Sequence, residues 1–142
     1  GKAVDDARAQ LQMDAVAFGD LYLEDIRNYR EQQMAGTGLE LVFPLWQIPT
    51  DQLAQQMIDG GLKAAITCLD PRVMPEHLAG YQFGPELLEQ LPQSVDPCGE
   101  NGEFHTFAWD GPMFKQPIPV MAGEGVNRDG FVYADLLLED SL

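Results

Sequence analysis

Lys63–Leu69, KAAITCL, is the stretch on which the fold turns. Apolar side chains run through it without alternation, as in a strand buried on both faces of a parallel sheet. Upstream, Gly60-Gly61 stops a helix that Thr50 caps, with Leu53, Ala54 and Met57 on its inner side. Before that helix, Leu39–Phe43 (LELVF) reads as a second buried strand, Leu21–Met34 as a helix and Ala15–Phe18 (AVAF) as a first strand. Residues 3–12 form an opening helix, and Gly36-Thr37-Gly38 ends the second one. Residues 1–70 thus run helix, strand three times over, the rhythm of a doubly wound, Rossmann-like α/β sheet. Gly19-Asp20 closes the first strand, and the carboxyl ends of such strands are where open α/β sheets place ligands.

Downstream of Asp70-Pro71 the rhythm changes. Pro85–Leu91 is a short helix with proline at its first position. Phe104–Asp110 alternates as a strand, and Ile118–Gly125 with Phe131–Leu138 forms a hairpin about Asn127–Gly130. The fold class is α/β. A partial doubly wound parallel sheet (residues 1–70) precedes a small α+β region with an antiparallel sheet (residues 71–142). Three parallel strands are half a sheet, and an uncovered edge calls for either an absent amino-terminal portion or a second copy. A start inside a helix favours the absent portion, with a homodimer as the alternative.

The 142 residues carry 8 Lys and Arg against 23 Asp and Glu, a formal charge of −15. That balance excludes nonspecific contact with nucleic acid or anionic membrane, which needs clustered cations. No apolar run approaches the roughly 20 residues that span a bilayer. Cys68 and Cys98 form no CxxC pair, and no secretory apolar segment is present, so two free thiols in a cytoplasmic setting are expected.

Ser94–Pro112, SVDPCGENGEFHTFAWDGP, is the candidate site. Asp96, Glu100, Glu103, Asp110, Cys98, His105 and Asn101 crowd among glycines and prolines that set backbone shape. Glu100 and Glu103 also fit a plainer role, accepting backbone N–H bonds in a tight turn. His105 fits an ordinary strand residue, Cys98 a free thiol, and Asp110-Gly111 a turn. The spacing of Cys98 and His105 matches no common zinc pattern, so no metal site is expected.

Two stretches resemble the diphthine–ammonia ligase-like ATP pyrophosphatases of the adenine nucleotide alpha hydrolase superfamily. The first is Gly19–Trp46, through Gly19, Arg27, Glu31, Gly38-Leu39 and Pro44-Leu45-Trp46. The second is Gly99–Pro112, GENGEFHTFAWDGP, which is similar to that family's Gly-Glu-x-Gly-Glu-aromatic-x-Thr signature. The resemblance implies ATP-dependent amide formation: a carboxylate is adenylated, then ammonia or an amine displaces AMP. It implies Glu100, Glu103, His105 and Asp110 as the catalytic set. Cys98, Gly99, Asn101, Gly102 and Thr106 are the implied substrate contacts. Gly19, Asp20 and Arg27 lie on the nucleotide side, with ATP and, in the complete protein, Mg as cofactors. The acceptor is a small-molecule or protein carboxylate. Two departures stand out: the family's Ser-Gly-Gly-Lys-Asp-Ser phosphate loop is absent, and His105 stands where Glu is common. This chain alone is therefore expected to bind ATP poorly and to be inactive. The competing readings are a non-catalytic nucleotide- or metabolite-binding module, dimeric if the open edge is shared, and a metal-dependent hydrolase built on the acidic set.

Overall fold

The computed structural model describes residues 2–139. The chain divides into two units after Ile48.

The first unit contains helix α1 (Lys2–Leu11), strand β1 (Ala15–Ala17), helix α2 (Glu24–Met34) and strand β2 (Glu40–Val42). β1 and β2 pair in parallel, Ala15 against Glu40 and Ala17 against Val42, with α2 as the crossover between them. Glu40 N–H to Asp14 C=O (2.9 Å) and Phe18 N–H to Val42 C=O (3.0 Å) extend the ladder by one bond at each end. The glycine-rich turn after α2 is a helix stop, as its sequence implies. Gly36 and Gly38 hold positive φ, Thr37 donates both N–H and hydroxyl to the Met34 carbonyl, and Arg8 donates to the Thr37 carbonyl.

The second unit contains helix α3 (Thr50–Asp59), strand β3 (Lys63–Leu69), a 3₁₀ turn (Glu76–Leu78) and helix α4 (Pro85–Gln90). Strands β4 (Phe104–Asp110), β5 (Val120–Arg128) and β6 (Phe131–Leu138) follow. Their sheet has the order β4-β3-β6-β5, and every pairing in it is antiparallel. The expectation for KAAITCL therefore needs correction: β3 is not a third parallel strand but an inner strand of the antiparallel sheet. Its physical signal is the same in either setting. Ala64, Ala65, Ile66, Cys68 and Leu69 are all buried, and a strand covered on both faces shows no alternation whichever way its neighbours run. The second unit thus takes in α3 and β3, which the sequence rhythm grouped with the first seventy residues.

β3 divides one edge between two partners. Cys68 and Leu69 pair with Tyr133 and Val132 of β6, while Ala64 and Ile66 exchange backbone bonds with Gly80–Phe83. On its other edge β4 runs alongside, with Thr67 as a bulge residue whose hydroxyl donates to the His105 carbonyl at 3.3 Å. The core packs against this sheet and draws on α3, α4 and the β3–β4 connection. Ile66, Leu69, Leu78 and Leu87 are its fully buried large side chains, joined by Ala54, Phe104 and Val132. The β5–β6 hairpin closes through Asp129 (φ 53°) and Gly130 (φ 83°), the left-handed pair that a two-residue type I′ turn requires. Among the described residues no helix is long and apolar enough to cross a membrane.

Candidate functional site

The 34 residues between β3 and β4 end in a tight turn, Asp96–Glu103, built around two carboxylates. Asp96 opens it. Its Oδ1 accepts the Cys98 N–H at 2.8 Å and the Glu100 N–H at 3.5 Å, and its Oδ2 accepts the Thr50 hydroxyl at 2.8 Å. Asp followed by Pro favours such an Asx turn, in which the side chain stands in for a backbone acceptor two residues on. Glu103 closes the turn and is buried. Its Oε1 accepts the Asp96 N–H (3.0 Å) and the Asn101 amide (3.1 Å), while Oε2 accepts the Asn101 N–H (3.0 Å). Burial alone raises the Glu103 pKa, but the bonds from Asp96, Asn101 and the Glu103 backbone together outweigh it and hold the carboxyl below the usual glutamate range. The Glu103 carbonyl accepts Asp70 N–H at 2.9 Å, which ties the turn to the end of β3.

Two glycines shape the turn unequally. Gly99 (φ +69°) would place a Cβ 2.9 Å from the Phe104 carbonyl oxygen and 3.2 Å from its ring. Gly102 (φ +83°) has nothing within 4 Å of that position. Gly99→Ala is therefore expected to cost about 3 kcal/mol, a left-handed penalty of about 1–2 plus a contact with backbone that cannot yield. Gly102→Ala is expected to cost about 1–2 kcal/mol, the conformational part alone. Urea unfolding of the two variants checks the difference.

Cys98 is half-buried, and its Sγ donates to the Thr50 carbonyl at 3.3 Å. Thr50 does not cap α3 as its sequence position implies: the N-cap is Pro49, and the Thr50 hydroxyl goes to Asp96 instead. Desolvation, then the charges of Asp96 and Glu100, push the Cys98 thiol up to about 12. A thiol held so high has too little thiolate at neutral pH for nucleophilic attack. Alkylation of Cys98 by iodoacetamide at mildly alkaline pH is expected to be at least about 100-fold slower in the folded protein than in urea. Peptide mapping by mass spectrometry reads it.

The structure brings Asp96, Cys98, Gly99, Glu100, Asn101, Gly102 and Glu103 into one turn. The other predicted site residues lie elsewhere. His105 and Thr106 are exposed on β4. Asp110 sits at the far end of that strand, about 20 Å away by strand rise. There its Oδ1 accepts the Gly111 N–H at 2.8 Å, as a turn residue does. Asp110 does not join the three acids of the turn, and among the described residues no group of three or more His, Cys, Asp or Glu could hold a metal ion. In the first unit, Gly19 is exposed with open space about it. Asp20 faces Arg30 at 3.5 Å. Arg27 is occupied: it donates to Glu31 at 2.9 Å, and its guanidinium lies 4.5 Å from the Phe43 ring centre and 4.7 Å from that of Trp46. Thr50 is the residue of the turn's surroundings that sequence reasoning missed. Asp96-Pro97 carries an Asx-turn signal, but nothing local points from Thr50 to a partner forty-six residues on.

A family model, the diphthamide synthase C-terminal domain, matches residues 49–135. The chain belongs to that family. The matched span begins where the second unit begins and contains the whole Asp96–Glu103 turn. The diphthine–ammonia ligase of Mus musculus is 30% identical over 131 residues, covering 87% of this chain and 48% of that protein. The diphthine–ammonia ligase of Danio rerio is 33% identical, covering 89% of this chain and 52% of that protein. For that of Schizosaccharomyces pombe the identity is 27%, with 82% of this chain and 20% of that protein covered. The chain thus spans about half the length of the vertebrate relatives it matches. Their similarity runs beyond the diphthamide synthase C-terminal domain into the first unit, since it covers more of the chain than residues 49–135 do.

Proposed function

We propose that the chain supplies the acceptor side of an amide-forming ligase, and that the Asp96–Glu103 turn is where ammonia meets the activated carboxylate. The observation that carries this is the division of labour in the turn. Glu103 is buried and fully engaged, while Glu100, Asn101 and Gly102 lie on the more open part of the same loop. Glu103 acts as a positioning residue: a carboxylate accepting three donors, with its pKa lowered, is a poor proton acceptor at neutral pH. Glu100 takes the proton that ammonia loses as the new C–N bond forms, and its negative charge favours ammonium in the site beforehand. Asn101 and the bare backbone of Gly102 line the same loop and contact the acceptor.

In this reaction class ATP activates the carboxylate by adenylation. The described residues do not fit its phosphates: no lysine stands among a run of bare N–H groups, and Arg27 is stacked and paired. The nucleotide is then held largely by residues outside this chain, with the open ground around Gly19 at the end of β1 as this chain's share. The acceptor that the relatives' name points to is diphthine.

The test is AMP formation by a protein of the relatives' full length, supplied with ATP, ammonium and a diphthine-bearing acceptor. AMP and amide in equal amounts, both dependent on the acceptor, are expected, with none from residues 1–142 alone. AMP release by residues 1–142 alone contradicts the assignment of the nucleotide. AMP release that ignores the acceptor contradicts the assignment of the turn. Binding of AMP or ATP by residues 1–142 in calorimetry, without turnover at full length, would favour the non-catalytic binding module.

A further inference from the structure

Strand β5 is the outermost strand of the second unit's sheet, and nine residues long. Most of it is exposed, with Val126 at 50%. No backbone hydrogen bond among the described residues reaches it other than those of the β5–β6 ladder. A long open edge is a template for another strand unless it is blunted. Blunting is present in one half only: the register shift lies between Ala122 and Gly125, where Gly123 and Glu124 stand opposite the single residue Asp135. From Gly125 to Arg128 the strand is regular, pairing residue for residue with Ala134 to Phe131.

The turn at Asp129-Gly130 fixes which backbone groups face the open side. Counted from a two-residue hairpin turn, the pairs Arg128–Phe131 and Val126–Tyr133 exchange hydrogen bonds. The N–H and C=O groups of Asn127 and Gly125 then point away from β6, toward whatever lies beside β5.

We propose that β5 pairs with β5 of a second copy of this chain, antiparallel and centred on Val126. In that register Gly125 and Asn127 of each copy face Asn127 and Gly125 of the other, which matches outward backbone groups to outward backbone groups. Val126 meets its own counterpart across the axis, and Glu124, the bulge residue next to the regular stretch, comes level with Arg128 of the other copy. The order Glu124, Val126, Arg128 is self-complementary only about this centre. A shift of the centre to residue 125 or 127 keeps the backbone match but sets neither charge against its opposite. Centres at 124 or 128 set like charges against each other. Arg128 is already ordered for the contact, because its guanidinium rests 4.6 Å from the Tyr133 ring centre. The pairing makes one eight-stranded sheet from two four-stranded ones. A strand edge buries less than the roughly 1,000 Å² of a standing interface, so the association is weak and reversible.

Sedimentation equilibrium of residues 1–142 tests this. The weight-average mass is expected to rise from 15.7 kDa toward twice that value between about 10 and about 500 µM. Glu124→Arg and Arg128→Glu are each expected to weaken self-association at least about tenfold, since each sets like charges opposite one another. The double swap restores it. An equimolar mixture of the two single variants dimerises although neither does alone, which also shows that both are folded. A mass that stays at 15.7 kDa at every concentration overturns the proposal, as does a dimer that the single variants leave intact.

Discussion

Glu100→Gln in a protein of the relatives' full length is expected to lower amide formation about 10²- to 10⁴-fold, the usual effect of removing a proton acceptor from the reacting centre. Gln keeps the length and the polar end of the side chain at a half-exposed position, so unfolding should change by no more than about 0.5 kcal/mol. The loss should fall on kcat rather than on KM for the acceptor, because the proton is taken only as the bond forms. Single-turnover rates together with thermal melts measure the two parts separately. A variant that melts early, or one that turns over normally, would remove Glu100 from the chemistry.

Glu103→Ala is expected to do the opposite: lower stability by about 4 kcal/mol and activity as a consequence. The substitution strips acceptors from the half-buried Asp96 N–H and from the Asn101 N–H, at up to about 1–3 kcal/mol each when left unmet, and removes the buried Glu103 side chain from beneath the turn. Glu103→Gln keeps one oxygen but turns an NH₂ toward a donor, and should lie between wild type and Ala. The effect depends on pH in a definite direction. The folded protein holds Glu103 below the usual glutamate value, so its contribution is complete above the unfolded-state pKa and is lost as pH falls through the folded one. The stability gap between wild type and Glu103→Ala should therefore be constant near neutrality and narrow in acid. Urea midpoints across that range check it.

The sequence shows the elements of this protein more clearly than their partners. The βαβ crossover of the first unit is legible from AVAF, LELVF and the glycine stop between them, because each signal is local. KAAITCL shows that a strand is buried but not which strands lie beside it. That information sits in Phe104–Asp110 and Phe131–Leu138, forty to seventy residues away. The glycine-shaped turn is legible for the same local reason, and Gly99, Glu100, Asn101, Gly102 and Glu103 do share it. Which of its acids is structural is not legible, because the answer depends on where backbone N–H groups point once the turn is closed. Glu100 and Glu103 look alike in sequence and differ by burial. Asp110 looks like a third member of the set only until β4 is seen to hold it at the opposite end of the sheet.

The central claim is that Glu103 is an ionised, buried brace for the loop that carries Glu100. Carbon-13 NMR titration of the Glu103 side-chain carboxyl tests this most directly. The expected midpoint lies below the ordinary glutamate value, with the Asp96 and Asn101 amide signals shifting at the same pH as their acceptor is lost. A midpoint at or above the ordinary value, with those two amides unmoved, would contradict the account.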